Sequence, residues 1–136
     1  MERVSYLVDT DVLIDWLQGQ QWAKVLLQTE GVRFYCSSIT RKELFDKPGL
    51  SNSERRQIRR LLQVVRVLTV DAVVASAASE LLQKYSDQPL RIPDALIAAT
   101  AWKKNLPLIT RNRKHYLFIN EIALATWEDL SQRPAE

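Results

Sequence analysis

Cysteine is nearly absent from this chain of 136 residues, and a single Cys36 excludes an internal disulfide. Histidine also occurs once, at His115, so there is no Cys/His cluster of the kind that binds zinc. Cys36 lies in the apolar run Val32-Arg33-Phe34-Tyr35-Cys36 and reads as a buried structural thiol. No run approaches the roughly 18 apolar residues of a transmembrane helix, so no membrane partner is expected. Met1-Glu2-Arg3 leads straight into an apolar strand, without a signal peptide, and a cytoplasmic protein is expected. Internal repeats, low-complexity tracts and linkers are missing too. The expectation is one domain over residues 1–136, with its core at about 4–127 and a short tail from Trp127.

The remaining composition is that of an ordinary globular chain, 46% hydrophobic and 26% charged, long enough to bury a core. The net charge of +3 is compatible with a polyanionic partner without requiring one.

Periodicity and punctuation divide the chain into alternating strands and helices. Strands are predicted at 4–8, 32–37, 66–70, 106–110 and 122–126. Helices are predicted at 11–19 and 20–30, closed by Gly19 and Gly31, at 38–47 behind a Ser37-Ser38 cap, and from Ser51-Asn52-Ser53-Glu54 to about Val64. Two more run from Ala72 to Tyr85, capped by Asp71, and from Ile92-Pro93-Asp94 to about Asn105. Such alternation predicts an α/β fold, a mostly parallel central sheet of four to five strands with helices on both faces, in three layers.

Acids stand at the ends of these elements. The stretch Ser5-Tyr6-Leu7-Val8-Asp9-Thr10-Asp11 turns abruptly from apolar to acidic, placing Asp9 where open α/β sheets bind ligands. Glu43 lies on the helix after the second strand, and Asp94 in the first turn of the helix before 106–110. If strand order brings the three together, their mutual repulsion calls for a cation, and oxygen-only ligands favour Mg²⁺ or Mn²⁺. Such a site activates water against a phosphodiester. Each acid also has a structural reading. Asp9, Thr10 or Asp11 can cap the first helix, Glu43 can be solvated, and Asp94 suits a helix N-terminus. Spacing alone leaves these alternatives open.

Four stretches in order resemble the PIN-domain family of ribonucleases, and most of all its VapC-type toxins from type II toxin–antitoxin systems. They are Tyr6-Leu7-Val8-Asp9-Thr10-Asp11-Val12-Leu13-Ile14, Ser37-Ser38-Ile39-Thr40-Arg41-Lys42-Glu43-Leu44, Ile92-Pro93-Asp94-Ala95-Leu96-Ile97-Ala98-Ala99-Thr100-Ala101, and Leu108-Ile109-Thr110-Arg111-Asn112-Arg113-Lys114-His115-Tyr116. The resemblance implies a PIN-like fold and endoribonuclease activity dependent on Mg²⁺ or Mn²⁺. It makes Asp9, Glu43 and Asp94 the catalytic, metal-binding acids, with Asn112 and Asp11 as further metal candidates. Thr10 and Thr110 would line the site for substrate. The chain departs from the family pattern at Asn112, where many members carry an acid, and this bears on a second metal ion. The resemblance also implies an RNA substrate, a cognate antitoxin seated near the early helices, and a homodimer.

The loop Arg111, Arg113 and Lys114 is the nearer candidate for the RNA backbone. Arg55, Arg56, Arg59 and Arg60 on the helix from Ser53 read as a solvated face, a phosphate contact or a docking surface for an acidic segment. Trp16 and Trp22 read as core, or as anchors for the antitoxin. His115 reads as solvated or as a phosphate contact rather than a general acid–base, and Tyr116 as core. Three competing functions are a PIN domain that binds without cutting, a receiver-like module, and a haloacid-dehalogenase-like phosphatase with Asp9 as nucleophile and Asp11 as acid–base. The phosphatase lacks its later Lys and acidic pair, and the receiver lacks its Lys after the last strand.

Overall fold

Alternating short strands and helices fill the computed structural model, which describes residues 4–126 and Leu130. The strands are β1 (Val4–Val8), β2 (Val32–Ser37), β3 (Arg66–Leu68), β4 (Leu108–Ile109) and β5 (Leu124–Ala125). The helices are α1 (Thr10–Leu17), α2 (Gln21–Leu27), α3 (Ser38–Phe45), α4 (Asn52–Val64), α5 (Ala72–Lys84) and α6 (Ile92–Lys103). All strand pairs are parallel, in the order β3-β2-β1-β4-β5. The predicted tail from Trp127 lies outside the described residues except for Leu130, which is buried. Among the described residues no helix is long and apolar enough to cross a membrane.

Two cores flank the sheet because strand side chains alternate faces. Tyr6 and Val8 of β1 join Val12 and Leu13 of α1, Leu26 of α2 and Ile58 and Leu61 of α4. Leu7, between them, joins Val74, Ala77 and Leu81 of α5 and Ala95, Ala98 and Ala99 of α6. Full burial of a side chain the size of Leu26 or Leu61 contributes about 1.5–3 kcal/mol. On α4 the apolar stripe points inward and Arg56, Arg59 and Arg60 are exposed, with a Ser51/Glu54 capping box starting the helix. Trp16 and Trp22 pack part-buried against the first core. Cys36 is fully buried, and burial pushes its thiol up to about 12, so it stays protonated.

Several elements stop short of their predicted ends, each for a local reason. α2 ends at Leu27, where the Thr29 hydroxyl donates to the Leu26 carbonyl (2.7 Å). β3 ends at Leu68, and the Val70 N–H is taken by the Ser38 hydroxyl (3.1 Å). β4 keeps two of its five predicted residues. Asn105, at φ 55°, ends α6, the Leu106 N–H returns to the Ala101 carbonyl, and Pro107 has no N–H to give. β5 pairs only with this short strand and is no longer.

The strand order positions the site. Connections leave β1 toward β2 and leave β4 toward β5, in opposite directions across the sheet. The carboxyl ends of β1 and β4 therefore form the topological switch point, where open parallel sheets leave a crevice. Asp9 follows β1 and Thr110 follows β4, and the Asp9 N–H donates to the Ile109 carbonyl across the gap (3.0 Å).

Candidate active site

Asp9 serves as the N-cap of α1, in extended backbone (φ −74°, ψ 162°), with Oδ1 accepting from the Thr10 N–H at 2.8 Å. Asp11, the other acid of this turn, lies inside the first helical turn and is not the cap. The second oxygen of Asp9 has work of a different kind. Oδ2 accepts from the Thr110 hydroxyl (2.8 Å) and from the Tyr116 hydroxyl (3.1 Å). Asp9 is only 6% exposed, and burial together with the nearby Asp11 charge raises its pKa to about 6, despite these donors.

Tyr116 links two elements. Its ring is fully buried in the core of α5 and α6, as expected, while its hydroxyl also lies 3.3 Å from Oδ1 of Asp94 on α6. Burial, then the Asp9 and Asp94 charges, push this phenol far above its usual range, so it remains a donor. Glu43 is held from the other side. Thr10 Oγ1 donates to Oε1 of Glu43 (3.0 Å) and lies 2.9 Å from the buried Thr40 hydroxyl, which is left to donate to Thr10.

Asp9, Thr10, Asp11, Glu43, Asp94 and Asn112 line one open pocket of about 210 Å³, together with Arg91 and His115. Thr110 backs the pocket behind Asp9. Its oxygen accepts the Asn112 N–H (3.0 Å), and its hydroxyl is also 3.3 Å from Oδ2 of Asp11. His115 Nδ1 lies 3.7 Å from Oδ2 of Asp94.

The loop cations do not line this pocket. Arg111 is fastened to α1 twice. Its N–H donates to Oδ2 of Asp11 (3.0 Å), and its Nε pairs with Oδ2 of Asp15 (3.1 Å), one turn further along the helix. Asp15 is buried and also accepts from Trp22 Nε1 (2.8 Å). Arg113 begins a short 3-10 turn over Arg113–His115 and buries one guanidinium nitrogen without a partner among the described residues, while Lys114 is exposed.

The lining suits a hard divalent ion in kind. Its donors are carboxylate, amide and hydroxyl oxygens, with one imidazole. Oδ1 of Asp11 is buried with no hydrogen-bond partner among the described residues, the sort of orphan that a cation satisfies, and burial raises the Asp11 pKa. Among the described residues, however, no three Asp, Glu, His or Cys side chains stand close enough to hold one ion in their present rotamers.

Four contributors escaped the sequence reading. Arg91, the N-cap of α6, falls just before the third motif and belongs to none of the four. Thr40 and Asp15 carry signals only in hindsight, since Thr40 precedes Glu43 by three residues and Asp15 follows Asp11 by four, each spacing about one helical turn, and the Tyr116 hydroxyl carries none.

The family described as PIN domain matches residues 6–119. The ribonuclease VapC10 of Mycobacterium tuberculosis is 34% identical over 121 residues, covering 85% of this chain and 89% of that protein. A chain in a toxin–antitoxin complex from Klebsiella pneumoniae is similar in structure, with a TM-score of 0.73 and 32% identity, over 87% of this chain and 95% of that one. VapBC-1 from nontypeable Haemophilus influenzae contains a chain with a TM-score of 0.78 and 26% identity, over 92% and 99%.

Proposed function

This chain belongs to the PIN-domain family, and from that premise we propose that it is a metal-dependent endoribonuclease, the toxin of a type II toxin–antitoxin pair working in the cytoplasm. One observation carries the proposal. Asp9, Glu43 and Asp94, from three separate segments, line a single pocket at the switch point of the sheet. Relatives named as ribonucleases and found in toxin–antitoxin complexes support the biological role.

Asp9, Glu43 and Asp94 would hold Mg²⁺ or Mn²⁺, with Asp11 and Asn112 as the additional donors. When bound, such an ion supplies Lewis-acid activation of water and neutralises charge on the phosphodiester. The chain's own hydroxyls prepare the carboxylates for that task. Thr110 and Tyr116 orient Asp9, and Thr10 occupies one oxygen of Glu43, leaving the other free. Asn112 contributes no charge, which disfavours a second ion.

The test is cleavage of total RNA with added Mg²⁺ or Mn²⁺, with and without EDTA, with the cut sites mapped. Wild type should cut only with metal, and Asp94→Asn should not cut. Equal activity in the variant, or in EDTA, would sink the reading. A second reading, a PIN domain that binds without cutting, is favoured by Asn112, an uncharged side chain in the pocket lining where many family members carry an acid. It predicts no cleavage under any metal. A small reading frame beside the gene, encoding a DNA-binding protein that co-purifies with this one, would establish the antitoxin.

A further inference from the structure

Two arginines near the pocket have opposite circumstances, and only one is available to a substrate. We propose that Arg91, not the loop residue Arg111, is the side chain that grips the RNA phosphate at this site. The proposal rests on the nuclease reading above and adds a residue that no motif of the sequence singles out.

The pocket lining contains four carboxylates, Asp9, Asp11, Glu43 and Asp94. A phosphodiester entering it meets strong repulsion that a single divalent ion offsets only in part. Among the lining residues, Arg91 is the one permanently positive side chain. It is exposed, and no ion pair or side-chain hydrogen bond joins its guanidinium to any described residue. It is also well placed. Arg91 is the N-cap of α6, three residues before Asp94, and Pro93 stiffens the intervening turn. The base of the side chain is thus fixed to the element that carries a catalytic acid, while its planar fork remains free for two phosphate oxygens.

Arg111 has the reverse character. Its Nε is committed to Asp15, a carboxylate buried to 5% exposure, and its backbone N–H to Asp11. Releasing it toward RNA would leave Asp15 with only the Trp22 N–H among the described residues. Arg111 therefore pins the loop after β4 to α1.

The experiment uses a fluorescein-labelled 20-nucleotide RNA of mixed sequence, with Ca²⁺ in place of Mg²⁺ and the RNA shown intact on a gel. Anisotropy gives affinity as a function of salt. Arg91→Ala should bind about tenfold more weakly and flatten the log K against log salt slope by about 0.7, one single-strand phosphate contact. Arg91→Lys should recover the slope and part of the affinity, because charge returns without the fork. Arg111→Ala should lower the melting temperature and keep the slope. Wild-type affinity and slope in Arg91→Ala, or the slope loss appearing in Arg111→Ala instead, would overturn the proposal. The two readings fail separately. Wild type that binds RNA through Arg91 but never cuts it removes the nuclease reading alone. Wild type that cuts RNA and is indifferent to Arg91→Ala removes Arg91 alone, and wild type that binds no RNA removes both.

Discussion

Two strand-to-helix corners of this protein have nearly the same backbone and different chemistry. After β2, Ser37 caps α3 at φ −76° and ψ 151°, its hydroxyl accepting from the Ile39 N–H (3.2 Å). After β1, Asp9 caps α1 at φ −74° and ψ 162°, with Oδ1 accepting from the immediately following Thr10 N–H. Both residues are buried. A serine meets the local demand at no electrostatic cost, whereas the aspartate is held against a burial penalty that lifts its pKa to about 6. Capping alone cannot account for a carboxylate at the β1 corner. The second oxygen, which accepts from the Thr110 and Tyr116 hydroxyls on a residue that lines the acid-rich pocket, is what distinguishes it.

The difference is largest in activity. Asp9→Asn keeps the size and the cap, since an amide oxygen can accept from Thr10, but removes the charge on which a cation would depend. RNA cleavage should fall by at least about a thousandfold, roughly 4 kcal/mol of barrier. Calorimetric titration with Mn²⁺ should lose its binding heat as well. An Asp9→Asn protein that cuts at the wild-type rate would reduce the β1 corner to a second version of the β2 corner.

The same substitution should act on stability with the opposite sign. Folded Asp9 titrates near 6, above its ordinary value of 3.8. Between those values the folded state binds more protons than the unfolded chain. The stabilisation from this group is therefore complete below about pH 4 and lost as pH rises through about 6. A shift of that size corresponds to about 3 kcal/mol. In EDTA, the stability of wild type relative to Asp9→Asn should decline from pH 4 to pH 7 by this amount, followed by urea denaturation. Comparing the two proteins cancels the exposed carboxylates Glu54 and Asp71, whose pKa values move down and whose stability is lost on acidification. A flat difference would mean that Asp9 carries no burial penalty.

Sequence patterns reach this comparison only halfway. The two corners themselves are legible. β1 and β2 begin and end at their predicted residues, because apolar runs stop at Asp9 and at the Ser37-Ser38 pair. The three-layer α/β arrangement follows from alternation. Strand order does not, and it is strand order that puts Thr110 beside Asp9, 101 positions apart. The partners of a side chain are less legible still. Arg111 and Arg91 are equally basic in the sequence. The buried Asp15 that engages one and leaves the other alone is an ordinary acid on an amphipathic helix until α1 meets the β4 loop. Tyr116 reads correctly as core from its ring, while its hydroxyl, the part that touches two acids, has no sequence signature.

That hydroxyl gives the next smaller effect. Tyr116→Phe retains the buried ring and removes a donor shared between Asp9 and Asp94. Above pH 6, where Asp9 is charged, the metal-free protein should lose about 1.5–3 kcal/mol, the usual worth of a hydrogen bond to an ionised group. Near pH 4 the loss should shrink, because protonated Asp9 needs the donor less. A pH-independent loss in urea denaturation would assign Tyr116 to packing alone.

The smallest effect belongs to the β2 corner and completes the contrast. Ser37→Ala removes the acceptor for the Ile39 N–H and leaves the backbone free to keep its extended entry into α3. The expected cost is about 1 kcal/mol, the ordinary value of a lost N-cap, and it should be the same at pH 4 and pH 7 because no charge is involved. Glu43 lies on α3, and the Thr10 hydroxyl holds it from α1 rather than from the cap. Mn²⁺ affinity and cleavage should therefore stay near wild type once the protein is folded. If Ser37→Ala instead weakened Mn²⁺ binding as Asp9→Asn does, α3 would depend on its cap to aim Glu43. The two corners would then be coupled parts of one site, and not one structural corner beside one chemical corner.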